Sequence, residues 1–404
     1  MSSKGKIIII TTEPFPIGLA ATNRILCYCK GFIENGFSPE VFVIKPSESK
    51  YNTYNTLASG IFEDIKFIYH GGITVRSSSF LMRRINDLKA FLITLKELLK
   101  TFRKNESHFA IFYGNYPLAE IICTLVFRLI KKKLYKEESE NPNTYFNNRI
   151  SFRNSILKWI YIGKLYKSYS AVFVMTDALR EFFVPTYLND KKVLIVPQTV
   201  DESRFELTTS QNGIQGLKRY IAFVGSLNQK KDGVLTLVKA FNLIHSKYED
   251  IFLIIAGDGS SSDKNAITNL IHAHNLDNRV KFMGRISSQR VPSFLVNAHV
   301  LVSCRPKSFQ SEFGFPTKIV EYLASGKPIV TTSTGELEKF LKDRENCFIA
   351  NYDAPELIAN KISEVLDNYE FALKTAQRGK ELVKVKFSKQ IQTQKIIDFH
   401  FGNT

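Results

Sequence analysis

The residues Glu312-Phe-Gly-Phe-Pro-Thr-Lys-Ile-Val-Glu-Tyr-Leu-Ala-Ser-Gly-Lys-Pro-Ile-Val330 read as a loop, a helix and the start of a strand. Gly314 frees the backbone ahead of the helix, Pro316 suits its first position, Gly326 suits its end and Pro328 blocks any continuation. A helix starting near Pro316 turns its unpaired N–H groups and the positive end of its dipole toward whatever precedes it. That arrangement suits an anionic group such as a diphosphate, held without a metal. Lys318, Glu321 and Tyr322 fall at i, i+3 and i+4 and so share one side of the helix, where a cation can meet phosphate and a carboxylate can accept hydroxyl groups. The same residues also fit an ordinary capped helix leading into a buried strand.

Upstream, short apolar runs alternate with helical patterns. Ile7 to Ile10, Val41 to Ile44, Ala110 to Tyr113, Ala171 to Met175 and Val193 to Val196 read as strands, the rhythm of parallel βαβ units. After a polar passage the rhythm restarts with Ile221 to Gly225, Phe252 to Gly257, Val280 to Gly284, Val300 to Val302 and Pro328 to Thr331. A chain of 404 residues, 44% hydrophobic, exceeds one compact core and suits two. The expectation is an α/β protein with two Rossmann-like lobes whose parallel sheets face a central cleft. Residues 1–200 form the first lobe, 201–218 the linker and 219–385 the second, with a last helix in 386–404 packing back on the first. Ligands are expected at the carboxyl ends of the strands.

The formal net charge of +17 invites an acidic partner. Residues 81 to 170 hold 17 Lys and Arg against 7 Asp and Glu, so 17 − 7 = +10 of the excess sits in that stretch. Leu81, Ile85, Leu88, Leu92, Leu95, Leu99 and Phe102 form an apolar helical stripe among Arg83, Arg84, Lys89, Lys96, Lys100, Arg103 and Lys104. The ordinary reading is a core-facing helix with a solvated basic back. Arg128 to Lys136 and Ser155 to Lys164 mix bases with aliphatic and aromatic groups, a composition that suits an anionic membrane surface, and the Trp159 segment is the better membrane candidate. No run of eighteen apolar residues appears, and the first residues carry no signal-peptide pattern. Cys27, Cys29, Cys123, Cys304 and Cys347 are odd in number and scattered, as reduced thiols in a cytoplasmic protein are. A peripheral location on the inner face of the cytoplasmic membrane follows as an expectation. His272 and His274, two apart on a helix, point to different faces, and no metal site is expected.

The order of motifs resembles the retaining GT-B glycosyltransferases of family 4. Pro14-Phe-Pro-Ile-Gly18 and Ala21-Thr-Asn-Arg24 look like that family's flexible acceptor-side loop. Ala171 to Leu179 looks like the element closing the first lobe, and Ile195 to Asp201 like the segment before the linker. Val224-Gly-Ser-Leu-Asn-Gln-Lys-Lys-Asp-Gly233 resembles the donor phosphate loop, and Gly257-Asp-Gly259 and Phe282-Met-Gly-Arg285 follow in the family's order. The sequence departs from the pattern where the first of the paired family glutamates would fall, since Phe313 stands there. Glu312 can contact donor only if the loop is bulged. Ser226 and Asp232 replace the usual Arg and Lys of the phosphate loop, so Lys231 is expected to substitute, and Arg305 to supply further charge.

The resemblance implies transfer of a sugar from a UDP- or GDP-sugar to a glycan or lipid-linked acceptor in cell-surface polysaccharide or glycolipid synthesis, with no metal or other cofactor. It places donor contacts at Gly225, Ser226, Lys231, Gly257, Arg305, Gly314, Phe315, Pro316, Thr317, Lys318 and Glu321, with Glu321, Lys231 and Arg305 closest to the chemistry. Gly18, Asn23, Arg24, Glu138 and Glu140 fall on the acceptor side. Where many relatives carry a first-lobe histidine the corresponding strand reads Phe112-Tyr-Gly-Asn-Tyr-Pro117, without one, and Asn115 is the residue expected to contact substrate there. Glu138 and Glu140 are candidate acceptor contacts or base, or else surface acids balancing Lys131 to Lys136. A nucleotide-sugar epimerase or hydrolase of the same fold is the nearest rival, and a non-catalytic polyanion-binding protein the rival of another class.

Overall fold

A computed structural model describes residues 4–51, 53–104, 107–145, 158–206, 219–350 and 354–402. The chain divides into two compact units, residues 1–199 with 389–404 and residues 200–388. Of the expected linker, residues 207–218 lie outside the described residues.

The first unit is built on eight strands: β1 (Lys6–Thr11), β2 (Ser38–Val43), β3 (Ser59–Phe62), β4 (Ile65–Tyr69), β5 (Ser107–Tyr113), β6 (Lys133–Glu138), β7 (Ala171–Val174) and β8 (Val193–Ile195). Their order is β3-β4-β2-β1-β5-β6-β7-β8, parallel throughout except for the antiparallel β3 at one edge. Ile7, Ile9, Val41, Phe109, Ile111 and Phe173 pack into one core, as a sheet covered on both faces requires. The β3–β4 hairpin is absent from the sequence reading: Ser59–Phe62 is a four-residue edge strand with no apolar run to announce it.

Helix α1 (Ala20–Glu34) joins β1 to β2, whereas α2 (Phe80–Arg103) joins β4 to β5 and α3 (Pro117–Leu129) joins β5 to β6. The last two connections move the same way across the sheet and the first moves oppositely, so right-handed crossovers put α2 and α3 together on one face and α1 on the other. The rings of Phe102 and Phe127 meet edge to face at 4.8 Å between α2 and α3. On the α1 face lies the helix Lys389–Phe401. Asn35 donates to Thr393 Oγ1 at 2.9 Å, and Lys389 pairs with Glu34 at 2.9 Å.

The burial of α2 overturns the core-facing reading for the first half of its apolar stripe, while Leu95 and Leu99 are half-buried and Phe102 buried as that reading expects. Asp87, Ala90, Phe91, Thr94, Leu98, Thr101 and Phe102 are buried, while Leu81 is 68% exposed and Ile85, Leu88 and Leu92 are exposed with it. The reason is close approach: an added Cβ on Gly71 would lie 3.0 Å from Ala90 Cβ, so a small residue faces the sheet there and the leucines turn outward.

The second unit has six parallel strands, β9 (Arg219–Ser226), β10 (Ile251–Asp258), β11 (Val280–Gly284), β12 (Val300–Ser303), β13 (Ile329–Thr332) and β14 (Phe348–Ala350), in the order β11-β10-β9-β12-β13-β14. Strand order reverses between β9 and β12, the point at which open α/β sheets receive ligands. The helices Pro355–Asp367 and Tyr369–Lys386 complete this unit.

Candidate functional site

In the second unit the predicted donor residues converge at that reversal. Strand β9 ends at Gly225 and Ser226, and Gly257 at the end of β10 lies in register with Gly225. After β9 the chain makes the short helical turn Gln229–Asp232, capped by Asn228, whose Oδ1 accepts from Lys231 N at 3.1 Å. Gly233 then adopts φ +66°, and an added Cβ there would lie 1.8 Å from the carbonyl oxygen of Cys304. Only glycine allows this approach, which sets the turn against the end of β12.

The helix carrying the opening motif runs from Thr317 to Ser325. Pro316 is its N-cap, one place earlier than expected, and having no side-chain acceptor it leaves the first N–H groups without a side-chain cap. Gly326 ends the helix in the left-handed region. The ring of Phe315 turns away, packed on Phe340 and Phe387 with centroids 6.0 and 5.6 Å distant, so it offers a ligand backbone alone. Gly314 and Thr317 are half-buried at this helix entrance, while Glu312 is exposed on the preceding short helix Phe309–Phe313. Tyr322 reaches back to β9, where its hydroxyl oxygen accepts from Val224 N at 2.9 Å.

Lys318, rather than Lys231, is the cation set against the phosphate loop. Its Nζ lies 2.7 Å from Asp232 Oδ1 and 4.4 Å from the centre of the Phe223 ring. An added Cβ on Gly225 would fall 2.4 Å from that Nζ, so the bare glycine makes room for it. Asp232 Oδ2 also accepts from Ser226 N at 3.1 Å. Burial lowers the Lys318 pKa, Asp232 opposes that, and nearby Arg305 and Lys231 lower it further. Three cations therefore sit within electrostatic reach of one another. Lys231 is exposed, and Arg305 is buried just past β12, its carbonyl accepting from Thr332 Oγ1 at 2.6 Å. Asp232 stands where the resembled family has a lysine, and Lys318 of the helix supplies a base against it.

Glu321 pairs with Arg204 at 3.3 Å, a partner the sequence reading missed, and burial raises its pKa against the opposing effect of Arg204. Arg204 also donates to the carbonyl of Ser288.

In the first unit the strand ends are sealed. Arg24 is not open to a ligand: fully buried on α1, it pairs with Glu137 at 2.7 Å and donates to the carbonyls of Val196 and Pro197 at 2.7 and 2.9 Å. Burial acts against its charge, but Glu137 together with Tyr28 and Tyr113 outweighs it and the guanidinium pKa is raised. Asn23 beside it is half-buried. The Pro14–Gly18 loop, expected to be flexible, is pinned by Phe15 N donating to Tyr69 Oη at 2.9 Å and Ile17 N to Asn55 Oδ1 at 2.8 Å.

Glu138 and Glu140 part company. Glu140 is exposed, as a solvated loop acid is, whereas Glu138 is buried and accepts from the hydroxyls of Tyr145 and Tyr166. Burial pushes the Glu138 carboxyl up to about 7, against the lowering effects of Lys136 and the two tyrosines. Beside it Lys136 pairs with Glu120 at 3.0 Å, and Glu120 accepts from Tyr161 at 3.0 Å and Tyr169 at 2.8 Å. Asn115 is exposed, its Oδ1 accepting from Tyr161 Oη at 3.2 Å. Among the described residues, no three His, Cys, Asp or Glu side chains converge as a metal site would need.

Residues 218–368 match the family model described as Glycosyl transferases group 1. An uncharacterized glycosyltransferase of Methanocaldococcus jannaschii is 25% identical over 350 residues, covering 81% of this chain and 93% of that protein. The phosphatidyl-myo-inositol mannosyltransferase of Mycobacterium tuberculosis is 23% identical over 177 residues, 43% of this chain and 44% of that protein. The crystal structure of Anabaena HepE in complex with UDP and glucose superposes with a TM-score of 0.66 at 13% identity, covering 98% of this chain and 100% of the other. The fold is that of the GT-B glycosyltransferases, and residues 218–368 are the part similar to the group 1 glycosyl transferases.

Proposed function

We propose that this protein is a retaining glycosyltransferase of family 4, moving a hexose from a UDP- or GDP-sugar to a glycan or lipid-linked acceptor in cell-surface polysaccharide or glycolipid synthesis. The observation that carries the reading is Lys318 Nζ set against the side-chain-free Gly225, with Arg305 and Lys231 in electrostatic reach of that lysine, beside a helix start without a side-chain cap. The pyrophosphate of the donor sits there. As the bond from the anomeric carbon to the pyrophosphate oxygen breaks, its electron pair stays on that oxygen, and the three cations and the helix N–H groups stabilise the growing charge. No metal or other cofactor is needed for that task. Glu321, oriented by Arg204, accepts the ribose hydroxyls.

The acceptor hydroxyl attacks from the face the leaving group departs, its oxygen bonding the anomeric carbon as its proton passes to the departing pyrophosphate oxygen. Glu140 and Asn115 are the exposed polar groups of the first unit that contact it, while Glu138 is held by its tyrosines. HepE crystallised with UDP supports a uridine nucleotide, and the mannosyltransferase supports a lipid acceptor. The protein works at the inner face of the cytoplasmic membrane, held there peripherally through its basic first unit. Among the described residues no helix is long and apolar enough to cross a membrane.

A panel of nucleotide sugars in thermal denaturation tests the donor site. One UDP- or GDP-sugar at a hundredfold its dissociation constant stabilises the protein by about 2.7 kcal/mol, and Lys318→Met and Glu321→Ala each weaken that shift. No shift with any donor would sink the reading. Sugar release without acceptor, at the rate seen with acceptor, would favour a hydrolase instead.

A further inference from the structure

The outward turn of α2 leaves a surface that the donor site does not use. Leu81, Ile85, Leu88 and Leu92 recur at i, i+4, i+7 and i+11, so they form one exposed line along the helix. On α3, Leu118, Ile121, Leu125 and Leu129 do the same at i, i+3, i+7 and i+11, and Leu129 is 81% exposed. The two helices lie side by side on one face of the sheet. The π-helical turn Trp159–Leu165 adjoins them, since Tyr161 bonds Glu120 of α3, and it exposes Trp159 with Lys164 Nζ 4.2 Å from the ring centre. Single exposed leucines are ordinary, but two such lines on helices of the same sheet face are not leucines scattered singly.

The charges on these helices identify what covers that face. The acids of α2 are Asp87, which is buried, and Glu97, which is paired with Lys100 at 3.4 Å; the one acid of α3, Glu120, is buried in its pair with Lys136. The exposed charges are bases: Arg84, Lys89 and Lys96 on α2, and Arg128 on α3. An apolar face flanked by long cationic side chains, with an indole at its margin, matches a bilayer surface, where leucines enter the acyl boundary and the bases reach anionic headgroups.

We infer that the outer faces of α2 and α3, with the Trp159 turn at their margin, are the surface by which this protein lies on an anionic lipid bilayer. The inference rests on the peripheral location proposed above and names the residues that provide it. It does not depend on the donor, because none of these residues belongs to the phosphate cluster.

The test is flotation of the full chain with vesicles of phosphatidylcholine alone or mixed with phosphatidylglycerol. Binding to the anionic vesicles is expected, falling as salt rises. Leu88→Glu with Leu92→Glu, Leu125→Glu, and Lys89→Glu with Lys96→Glu should each lower partition roughly tenfold or more. Leu243→Glu, on an exposed position of the second unit, should leave it unchanged. Donor-induced thermal shifts should be equal in all of them, which separates loss of the surface from loss of fold or of the donor reading. Equal binding to neutral vesicles, no binding to either, or variants that bind as wild type does would overturn the inference. So would variants that only convert a dimer to a monomer in sedimentation, since the face would then belong to a second copy.

Discussion

Both units place charged groups at the carboxyl ends of their strands, and the two sets are opposites in accessibility. In the first unit Arg24–Glu137 and Lys136–Glu120 pair with side chains at most 1% exposed, and tyrosine hydroxyls occupy further carboxylate oxygens. In the second, Lys318 and Glu321 remain 11% and 22% exposed, and Asp232 is one acid facing three cations. A fully buried charge set holds strands in place, whereas a partly exposed one with an excess of cations is disposed to take an anion. Net charge at a strand end therefore says less about ligand binding than how far each charge stays open to solvent.

Removing Arg24 should break the contrast hardest. Arg24→Met leaves Glu137 buried without its cation and should cost about 4 kcal/mol in denaturant unfolding, with donor affinity unchanged in whatever fraction folds. A fall in affinity instead would move Arg24 into the binding machinery. Next comes the pH dependence of Glu138. From its ordinary 4.5 to about 7, the folded protein holds a proton that the unfolded chain has released, so fewer protons are bound on unfolding and stability declines as pH rises through that window. The decline amounts to about 3 kcal/mol. Glu138→Gln should remove that component, seen as a flatter profile of stability between pH 5 and 8.

Lys318→Met should lower donor affinity about a hundredfold, equivalent to about 2.7 kcal/mol. Adding Asp232→Asn should recover stability and not affinity, which calorimetric titration and melting would separate. Gly225→Ala should weaken donor binding about tenfold by crowding Lys318 Nζ, with little change in melting temperature. Arg204→Ala, at a half-exposed pair, should cost only about 0.5 kcal/mol of stability, and its mark is a raised KM for donor with Glu321 left free to turn.

The buried parallel strands were legible because each is a nearly continuous apolar run between turn residues, as Ile7–Ile10 and Phe252–Gly257 are. Helix α2 was legible as a helix but not in its orientation. Periodicity reveals a stripe, while the sheet selects a face by shape, and here Gly71 selects Ala90. Lys318 and Glu321 were visible from helical spacing. Their partners were not: Asp232 and Arg204 lie far away in sequence, and a single chain carries no sign of which distant charges meet. The same holds for Arg24 and Glu137, 113 residues apart. Burial of Lys136, Glu137 and Glu138 ran against the usual reading of a charged run as solvated.

The helix Lys389–Phe401 closes the core face of the first unit, with Lys395 donating to the carbonyl of Ile195 and His400 meeting Tyr135. During synthesis that piece is made only after the whole of residues 200–388. The second unit, contiguous in sequence, can therefore complete its fold first, while the first unit waits with Phe109, Tyr135 and Phe173 incompletely covered. Completion of the first unit waits on the helix at 389–401, and the interval is one in which a chaperone would have work.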